Sequence, residues 1–369
     1  MSTTSKINDF PANPSSIATF SLGHRANHTL PTRLCAAASA GFTHVELFDD
    51  DWSTHLTLAL QSQHLPPSVS PWDAAPDNLR IARNLGLLVR SLGLTIVCSQ
   101  PARDVEGILD PSDRAAALRD VAARFPFLRA MGTEMMFLCA STRDEEGVSH
   151  DPGVVARDLA ELGDMAAAFA RADGGPTIRI AYEGLSWATQ NNTWQRSWDI
   201  VNRANRPNVG LVIDTFHILV QEFASPLNPT TSSPPTSTKE ALAGLRASMS
   251  SLSASVLGSK VFLVQISDAA IIEPAEFWAL GSTHMERLRT YARTRRLYPG
   301  ENGGWMPTDI VVEAVRRSGY KGPWSLEVFH SRLEDPGNDL PWREAEKGYE
   351  SLRWLTEARE RMRGRRSGR

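Results

Sequence analysis

Short apolar runs alternate with longer amphipathic stretches along most of the chain. The apolar runs predict eight β-strands, because they are rich in β-branched and aromatic residues and are bounded by polar or glycine-containing segments. They lie at 16–23, 44–48, 94–100, 134–140, 177–183, 209–215, 261–269 and 324–329. The stretches between them are alanine-rich or repeat apolar residues every three to four positions, which predicts eight helices. These lie at 30–41, 78–93, 111–132, 152–174, 193–205, 238–256, 308–320 and 344–362.

This alternation predicts an α/β fold in which eight strand–helix units close on themselves as a (β/α)8 TIM barrel. A doubly wound open sheet is the alternative. That fold should carry a glycine-rich phosphate-binding turn after its first strand, and the segment 21–29 supplies only Gly23. The barrel is therefore the favoured architecture.

Three segments depart from the alternation and define the predicted domain organisation. A single catalytic barrel is expected over residues 17–360, with an N-terminal extension at 1–16 and a basic tail at 361–369. Residues 224–239, after the sixth strand, are rich in Pro, Ser and Thr, so we expect an exposed insertion there.

Composition and charge narrow the class of partner. The 369 residues are 41% hydrophobic and 22% charged, as in ordinary globular proteins. A formal net charge of −3 gives no general attraction to nucleic acid or to anionic lipid, so a small molecule is the expected partner, and assembly into a homo-oligomer is left open. The three cysteines predict reduced thiols, as in a cytoplasmic protein. The chain has no apolar run of about 20 residues, so we expect a cytoplasmic protein that does not enter membranes.

Oxygen-bearing side chains stand at the ends of four successive predicted strands. They are Glu183, Asp214, Gln265 and Glu327, on strands five to eight. In a parallel barrel the carboxyl ends of the strands share one mouth, so these groups should converge. Three carboxylates and one amide oxygen suit a hard divalent ion such as Mg²⁺, Mn²⁺ or Co²⁺. The alternative is that each acid forms its own salt bridge or caps the helix that follows.

Two histidines are candidates for proton transfer. His217 follows Asp214 by three residues, and a histidine beside a metal-bound carbonyl is suited to act as a general base. His24, at the end of the first strand, is the second candidate. Either residue could instead be structural.

Three arginines are predicted to lie near the same mouth. Arg103 follows the third strand, and Arg293 and Arg296 precede a glycine-containing segment after the seventh. Guanidinium groups there would clamp a substrate carboxylate at two points, which predicts a small acidic substrate. The alternative is that they are surface arginines in long loops. The nearby Gly300, Gly303 and Gly304 indicate either a mobile lid or a plain turn.

Taken together, several strings resemble the 3-dehydroshikimate dehydratases of the xylose isomerase-like barrel superfamily. They are SLG at 21–23, HVELF at 44–48, CSQPARDVEGILD at 98–110, AYEGLSW at 181–187, RPNVGLVIDTFHI at 206–218, VFLVQISDA at 261–269, RRLYPGENGG at 295–304 and WSLEVF at 324–329. The resemblance extends from about residue 17 to residue 357.

The resemblance implies a metal-dependent dehydratase of quinate and shikimate catabolism. It would convert 3-dehydroshikimate, a small acidic cyclic substrate, to protocatechuate and water by removing a proton alpha to a metal-polarised ketone. The resemblance also implies that Glu183, Asp214, Gln265 and Glu327 form the metal set. Gln265 is the discriminating member, since related sugar isomerases and epimerases generally have histidine there. After AYEGLSW, Ala188, Thr189 and Gln190 depart from the usual family pattern.

Three other functions stay open at this point. A sugar or keto-sugar isomerase or epimerase could use Glu183 and Glu327 as acid and base, although a neutral polyol gives arginines little to bind. A DNA-repair endonuclease would need a histidine-rich zinc site and a basic face, and neither is evident. A metal-free barrel used for binding is the non-enzymatic alternative.

Overall fold

The structure is a computed structural model. It describes residues 13–143, 146–223 and 239–367, with side chains described as far as residue 355. Most of the predicted N-terminal extension and nearly all of the 224–239 insertion therefore lie outside the described residues. The last helix continues to Ser367, into the segment assigned from the sequence to the basic tail.

Eight parallel strands form a closed barrel in the order β1-β10-β7-β6-β5-β4-β3-β2. This confirms the predicted (β/α)8 fold rather than the open sheet. The barrel strands are β1 (Ser15–Ala18), β2 (His44–Phe48), β3 (Thr95–Ala102), β4 (Met135–Cys139), β5 (Arg179–Glu183), β6 (Val209–Asp214), β7 (Val261–Ile266) and β10 (Trp324–Leu326). They are almost entirely buried, as expected for strands covered on both faces.

Helices surround the barrel and pack their apolar sides on the strands. They are α1 (Leu30–Ala40), α2 (Asp49–Ser62), α3 (Pro76–Ser91), α4 (Pro111–Ala122), α5 (Phe125–Met131), α6 (Pro152–Asp173), α7 (Trp194–Ala204), α8 (Thr215–Glu222), α9 (Lys239–Ser255), α10 (Pro274–Ala279), α11 (His284–Thr294), α12 (Thr308–Arg317) and α13 (Leu340–Ser367).

Local sequence signals set the ends of these helices. The Asp151 side chain accepts hydrogen bonds from the backbone N–H groups of Gly153 and Val154, Pro152 occupies the first turn, and Gly174 ends α6 with φ 75°. This pairing of an acidic N-cap with a left-handed glycine fixes the length of the longest fully described helix.

Two helix predictions were wrong in detail. The single helix expected over 111–132 is two helices, because Pro126 lacks an N–H and its ring would clash with the carbonyl of Ala122, where α4 ends. A helix that was not predicted, α2, follows β2 directly. Its first turn carries Asp49, Asp50 and Asp51, which favour a helix N-terminus through the dipole.

The segment between β7 and α12, for which no helix was predicted, also differs from the expectation. It contains α10, α11 and two short antiparallel strands, β8 (Asp268–Ala269) and β9 (Arg296–Leu297), with Ala269 opposite Arg296. The excursion returns Arg296 to the barrel mouth directly beside the end of β7. In the described part of the chain, no helix combines the length and apolar character needed to cross a bilayer.

Candidate metal centre and substrate pocket

The four predicted ligands lie at the carboxyl end of the barrel. Glu183 and Asp214 are the last residues of β5 and β6, Gln265 is the penultimate residue of β7, and Glu327 follows β10 directly. All four are buried. Because β5, β6, β7 and β10 are consecutive neighbours in the barrel, their ends meet at one side of the mouth.

Two of these carboxylates cluster with a histidine. Glu183, Asp214 and His217 each offer one ligand atom, and these atoms all lie within 4.8 Å of one another. His217 Nε2 is 3.5 Å from Asp214 Oδ2 and 3.8 Å from Glu183 Oε1. His217 therefore lies at the edge of the ligand set, where the sequence placed a proton-transfer group.

Gln265 and Glu327 are joined by a direct hydrogen bond. Gln265 Nε2 donates to Glu327 Oε1 at 3.0 Å, and Gln100 Nε2 donates to the same oxygen at 3.2 Å. Asp214 also caps α8, since its Oδ1 accepts from the backbone N–H of Phe216 at 2.7 Å. The helix-cap alternative is thus realised at Asp214 through Oδ1, and the salt-bridge alternative is realised at Asp214 Oδ2 and at Glu327, which share Arg296.

Arg296 bridges the ligand carboxylates. Its Nη1 donates to Asp214 Oδ2 at 2.7 Å and to Glu327 Oε2 at 3.0 Å, and the side chain is 1% exposed. Burial alone would lower the pKa of Arg296, but Asp214 and Glu327 outweigh it and raise the pKa. Nη1 is therefore paired with these carboxylates, and Arg296 also lines the pocket at the barrel mouth.

Two oxygens of the proposed ligand set have no hydrogen-bond partner among the described residues. They are Glu183 Oε1 and Gln265 Oε1, both buried. A buried acceptor left unsatisfied costs roughly 1–3 kcal/mol, and more when it is charged. A hard divalent cation would satisfy both oxygens, so the residues present fit such an ion.

The charge balance favours the same interpretation. Burial raises the pKa of Glu327 to about 7, and burial together with Asp214 and Glu327 raises the pKa of Glu183 well above its usual range. These shifts reflect carboxyl groups gathered with too little positive charge near them. A bound cation would stabilise the ionised carboxylates and lower these pKa values again.

His217 is held neutral in this environment. Burial lowers its pKa to about 3, against the opposite influence of Asp214. Nδ1 lies 3.0 Å from Ser186 Oγ, and Nε2 faces Arg296 Nη2 at 3.2 Å. The indole of Trp187 packs edge-on against the imidazole with ring centroids 4.8 Å apart.

A pocket opens above the ligand set and carries positive charge. Arg103 and Arg293, both predicted, line it together with Arg289, one helical turn before Arg293 on α11. Burial, then Arg103 and Arg289, lower the pKa of Arg293. Arg293 Nε is buried without a hydrogen-bond partner among the described residues. Arg296 also lines the pocket, so four guanidinium groups around one opening form an environment for an anionic substrate.

Aromatic rings support the arginines from the pocket wall. The guanidinium of Arg103 lies 5.6 Å from the ring centroid of Phe48, and that of Arg293 lies 5.6 Å from Phe329. Arg289 was not predicted as a site residue, because the segment that forms α11 was assigned to a loop. Without a helix there, the spacing of four residues between Arg289 and Arg293 did not indicate that the two side chains lie on one face.

His24 lies apart from this pocket. Its Nδ1 is 3.1 Å from Glu334 Oε1, and its ring stacks on Phe20, which packs behind the wall residues Phe48 and Phe329. His24 does not line the pocket. Of the residues named from the sequence for catalysis, it is the one that the fold does not bring to the mouth.

Comparison with known proteins agrees with the geometry. Residues 34–358 match the family model of the xylose isomerase-like TIM barrel. A 3-dehydroshikimate dehydratase of Neurospora crassa is 31% identical over 342 residues, which cover 90% of each protein. The chain belongs to the 3-dehydroshikimate dehydratase family of xylose isomerase-like TIM barrels. The prediction of an enzyme of this family is confirmed.

Other relatives are longer. A 3-dehydroshikimate dehydratase of Pseudomonas aeruginosa is 31% identical over 316 residues, covering 85% of this chain and 38% of that protein. A solved structure described as a xylose isomerase-like TIM barrel/4-hydroxyphenylpyruvate dioxygenase fusion protein has 26% identity and a TM-score of 0.67, covering 96% of this chain and 44% of that one. The family member described here thus corresponds to less than half of each of these two proteins.

More distant structures share the fold alone. The IolI protein with a bound zinc atom has 15% identity and a TM-score of 0.63, covering 94% of this chain and 98% of that one. An L-ribulose 3-epimerase has 15% identity and a TM-score of 0.58, covering 95% and 97%. At this identity the epimerase gives no support to the isomerase or epimerase alternative.

Proposed function

We propose that the protein is a metal-dependent dehydratase that converts 3-dehydroshikimate to protocatechuate and water. The observation that carries the proposal is a buried set of oxygen ligands, two of them unsatisfied, beside a pocket lined by four arginines in a member of this family. The oxygen ligands would hold a cation that polarises a ketone, and the arginines would bind a ring carboxylate.

The ion would be held by Glu183, Asp214, Gln265 and Glu327. When bound, a divalent cation supplies positive charge that polarises a substrate ketone and stabilises negative charge on its oxygen. The all-oxygen set favours Mg²⁺, Mn²⁺ or Co²⁺ in this role.

His217 is the group that moves the proton. A proton leaves the ring carbon alpha to the ketone, the hydroxyl on the next carbon leaves as water, and a final tautomerisation gives the catechol ring. Burial lowers the pKa of His217 to about 3, so the imidazole is neutral and carries a lone pair. The negative charge of Asp214 acts to raise that pKa and favours the protonated imidazole that forms when the proton is transferred. Loss of one water accounts for the whole difference between substrate and product.

Arg103, Arg289 and Arg293 orient the substrate. Their guanidinium groups line the pocket opposite His217, where a planar fork can hold the ring carboxylate in two hydrogen bonds. Arg296 has a different role, because its Nη1 holds Asp214 and Glu327 in position. The edge of Trp187 closes the side of the pocket next to His217.

The partner of the protein in this proposal is a small acidic cyclic molecule, and neither nucleic acid nor membrane is involved. A cytoplasmic location and a homo-oligomeric state are compatible with it. Gln265 and the arginine lining both favour this substrate over a neutral keto-sugar.

The direct test is turnover of 3-dehydroshikimate, followed by the ultraviolet absorbance of the catechol acid. We expect product with Mg²⁺, Mn²⁺ or Co²⁺, and loss of product after chelation that is reversed by adding the ion. Absence of product with every ion would reject the substrate, and full activity in the chelator would reject the metal.

A histidine pair sharpens this test. His217→Ala should lower kcat by about 10²–10⁴-fold while metal binding is retained, since positioned acid–base groups contribute rates of this order. His44→Gln is the matched control, because His44 begins β2 at the opposite end of the barrel, and its turnover should equal that of the unaltered protein. Equal turnover in both variants would remove His217 from the mechanism.

A further inference from the structure

A fifth carboxylate lies directly beneath the proposed ligands. Glu46 is the third residue of β2, which lies three strands from β7 and Gln265 around the barrel, and it is completely buried. It is not one of the four groups assigned to the metal. Its side chain nevertheless reaches across the barrel interior to the ligand set.

We propose that Glu46 is a positioning residue that orients the amide of Gln265 so that Oε1 faces the cation. This inference rests on the metal site of the proposed function. Gln265 Nε2 donates one hydrogen bond to Glu46 Oε2 at 2.8 Å and a second to Glu327 Oε1 at 3.0 Å. Both amide hydrogens are therefore used, and Gln265 Oε1 is the atom left without a partner.

The reverse orientation of the amide is excluded by the same two carboxylates. Rotating the amide by 180° would place Gln265 Oε1 about 3 Å from two carboxylate oxygens and would turn the –NH₂ group toward the ligand site. Oxygen acceptors at that separation repel, and an –NH₂ group cannot ligate a cation. An amide differs from a carboxylate ligand in needing this orientation, because a carboxylate offers an oxygen either way.

Glu46 is itself held by its neighbours. Ser325 Oγ on β10 donates to Glu46 Oε1, and Gln100 Nε2 on β3 donates to Oε2 at 2.7 Å. Gln100 Nε2 also reaches Glu327 Oε1 at 3.2 Å, so two amides and two carboxylates form one hydrogen-bonded array under the site. These hydrogen bonds hold the Glu46 carboxylate, which accepts from Gln265, in one position.

The test is metal affinity measured by calorimetry on purified protein that has been stripped of metal and titrated with Mn²⁺. Glu46→Leu, which removes the acceptor that a glutamine at position 46 would keep, should weaken Mn²⁺ binding about 10–100-fold, the usual effect of removing a partner that orients a metal ligand. The circular dichroism spectrum should be unchanged. Affinity equal to that of the unaltered protein would overturn the inference.

A double-mutant cycle separates orientation from simple loss of negative charge. In a Gln265→Leu background no amide remains to be oriented, so adding Glu46→Leu should cause no further loss of affinity. An equal loss in both backgrounds would mean that Glu46 acts through its charge, and would refute the positioning role. Glu106→Leu is the matched control: it also removes a fully buried carboxyl, but one with no contact to a ligand side chain, and affinity should change less than twofold.

Two further outcomes keep the inference distinct from the proposed function. If Glu46→Leu does not fold, Ser325→Ala replaces it in the cycle, since the Ser325 hydroxyl donates to Glu46 and not to Gln265. An affinity change of several-fold that vanishes with Gln265→Leu is expected, and no change refutes the inference. An unaltered protein that binds no Mn²⁺ also refutes it. Mn²⁺ binding with the expected cycle, but without turnover of 3-dehydroshikimate, supports the role of Glu46 and rejects the substrate.

Discussion

At the scale of single residues, the imidazole of His217 faces N–H donors at both ring nitrogens. The backbone N–H of Ser186 lies 3.1 Å from Nδ1, and Arg296 Nη2 lies 3.2 Å from Nε2. A neutral imidazole has one lone pair, so it can accept only one of these hydrogen bonds. Ser186 Oγ, 3.0 Å from Nδ1, can accept a proton placed on Nδ1. That tautomer leaves the lone pair on Nε2, the nitrogen that lies near Asp214 and Glu183 and accepts from Arg296 Nη2. To act as a base, His217 must give up this hydrogen bond.

Removing the Ser186 hydroxyl should therefore weaken the base. In Ser186→Ala only the backbone N–H faces Nδ1, which moves the proton to Nε2 and removes the lone pair from the site. We expect kcat to fall about 10–100-fold with KM and metal affinity unchanged, because acid–base groups contribute rates of that order or more. Nitrogen NMR shifts of His217 should report the change of tautomer. Ser186→Thr keeps a hydroxyl and should restore kcat; a kcat for Ser186→Ala equal to that of the unaltered protein would contradict this account.

Residues at strand ends were predictable, and residues within strands or distant helices were not. Glu183 and Asp214 end apolar runs, so their placement followed from the barrel alone. Glu46 was passed over, although an acid inside the apolar string HVELF is a signal, since burying a carboxyl requires partners. Those partners, Ser325 and Gln265, come from strands more than 200 residues away and cannot be identified from local pattern.

At the scale of elements, helices α3 and α5 approach each other closely at one glycine. A Cβ atom built on Gly86 of α3 would lie 2.5 Å from the carbonyl oxygen of Met131, the last residue of α5. The contact involves backbone, which cannot rotate away as a side chain could. The absence of a side chain at position 86 is thus what allows the two helices to pack.

Gly86→Ala should destabilise the protein by about 1–3 kcal/mol, the usual cost of overpacking, because the helices must separate. Gly244→Ala provides the contrast. Gly244 lies within α9 and a Cβ there meets nothing within 4 Å, so alanine should stabilise by roughly 0.5–1 kcal/mol through helix propensity. Urea unfolding measures both. Similar shifts of the two variants in the same direction would show that helix propensity, rather than the close approach, decides the effect at position 86.

Elements with a strong periodic pattern were predicted correctly, and short ones were not. All eight barrel strands coincide with apolar runs, since burial on both faces leaves such runs in the sequence. The pair of two-residue strands β8 and β9 was not predicted: residues 268–269 fell within the seventh predicted strand, and residues 296–297 show no strand pattern, because the pairing depends on Ala269 and Arg296 meeting after a long excursion. The contacts of Arg296 with Asp214 and Glu327 follow from that pairing and could not be derived from the sequence.

At the scale of the whole molecule, buried carboxyl groups make stability depend on pH. Glu106 is a clear case away from the proposed ligands. Its Oε1 accepts from the backbone N–H of Ser141 at 2.7 Å and from the hydroxyl of Tyr182 at 3.0 Å, whereas Oε2 has no partner among the described residues. Burial raises the pKa of Glu106 to about 7 from 4.5, despite these hydrogen bonds, and the nearby Asp104 adds to the rise.

The sign of the effect follows from proton linkage. Between pH 4.5 and about 7 the folded protein keeps the Glu106 proton while the unfolded chain loses it, so this group's stabilisation is complete below pH 4.5 and is lost as pH rises through 7. A shift of 2.5 pH units, from 4.5 to 7, corresponds to about 3 kcal/mol. Asp268, whose pKa burial raises to about 6, acts in the same direction. His330, whose pKa burial lowers to about 4, acts in the opposite direction as pH falls below 6.5.

Glu106→Gln should remove the Glu106 part of this dependence, because an amide stays neutral at every pH. The amide oxygen can accept from Ser141 and Tyr182 as the carboxyl does, so the variant keeps the hydrogen bonds and loses only the titration. We therefore expect the stability of the variant relative to the unaltered protein to rise by about 3 kcal/mol between pH 4.5 and 8 and then to level off. Urea unfolding of the metal-stripped proteins across that range measures the difference. Stability curves that run parallel from pH 4.5 to 8 would mean that Glu106 is ionised in the folded protein, and that the Ser141 and Tyr182 hydrogen bonds outweigh its burial.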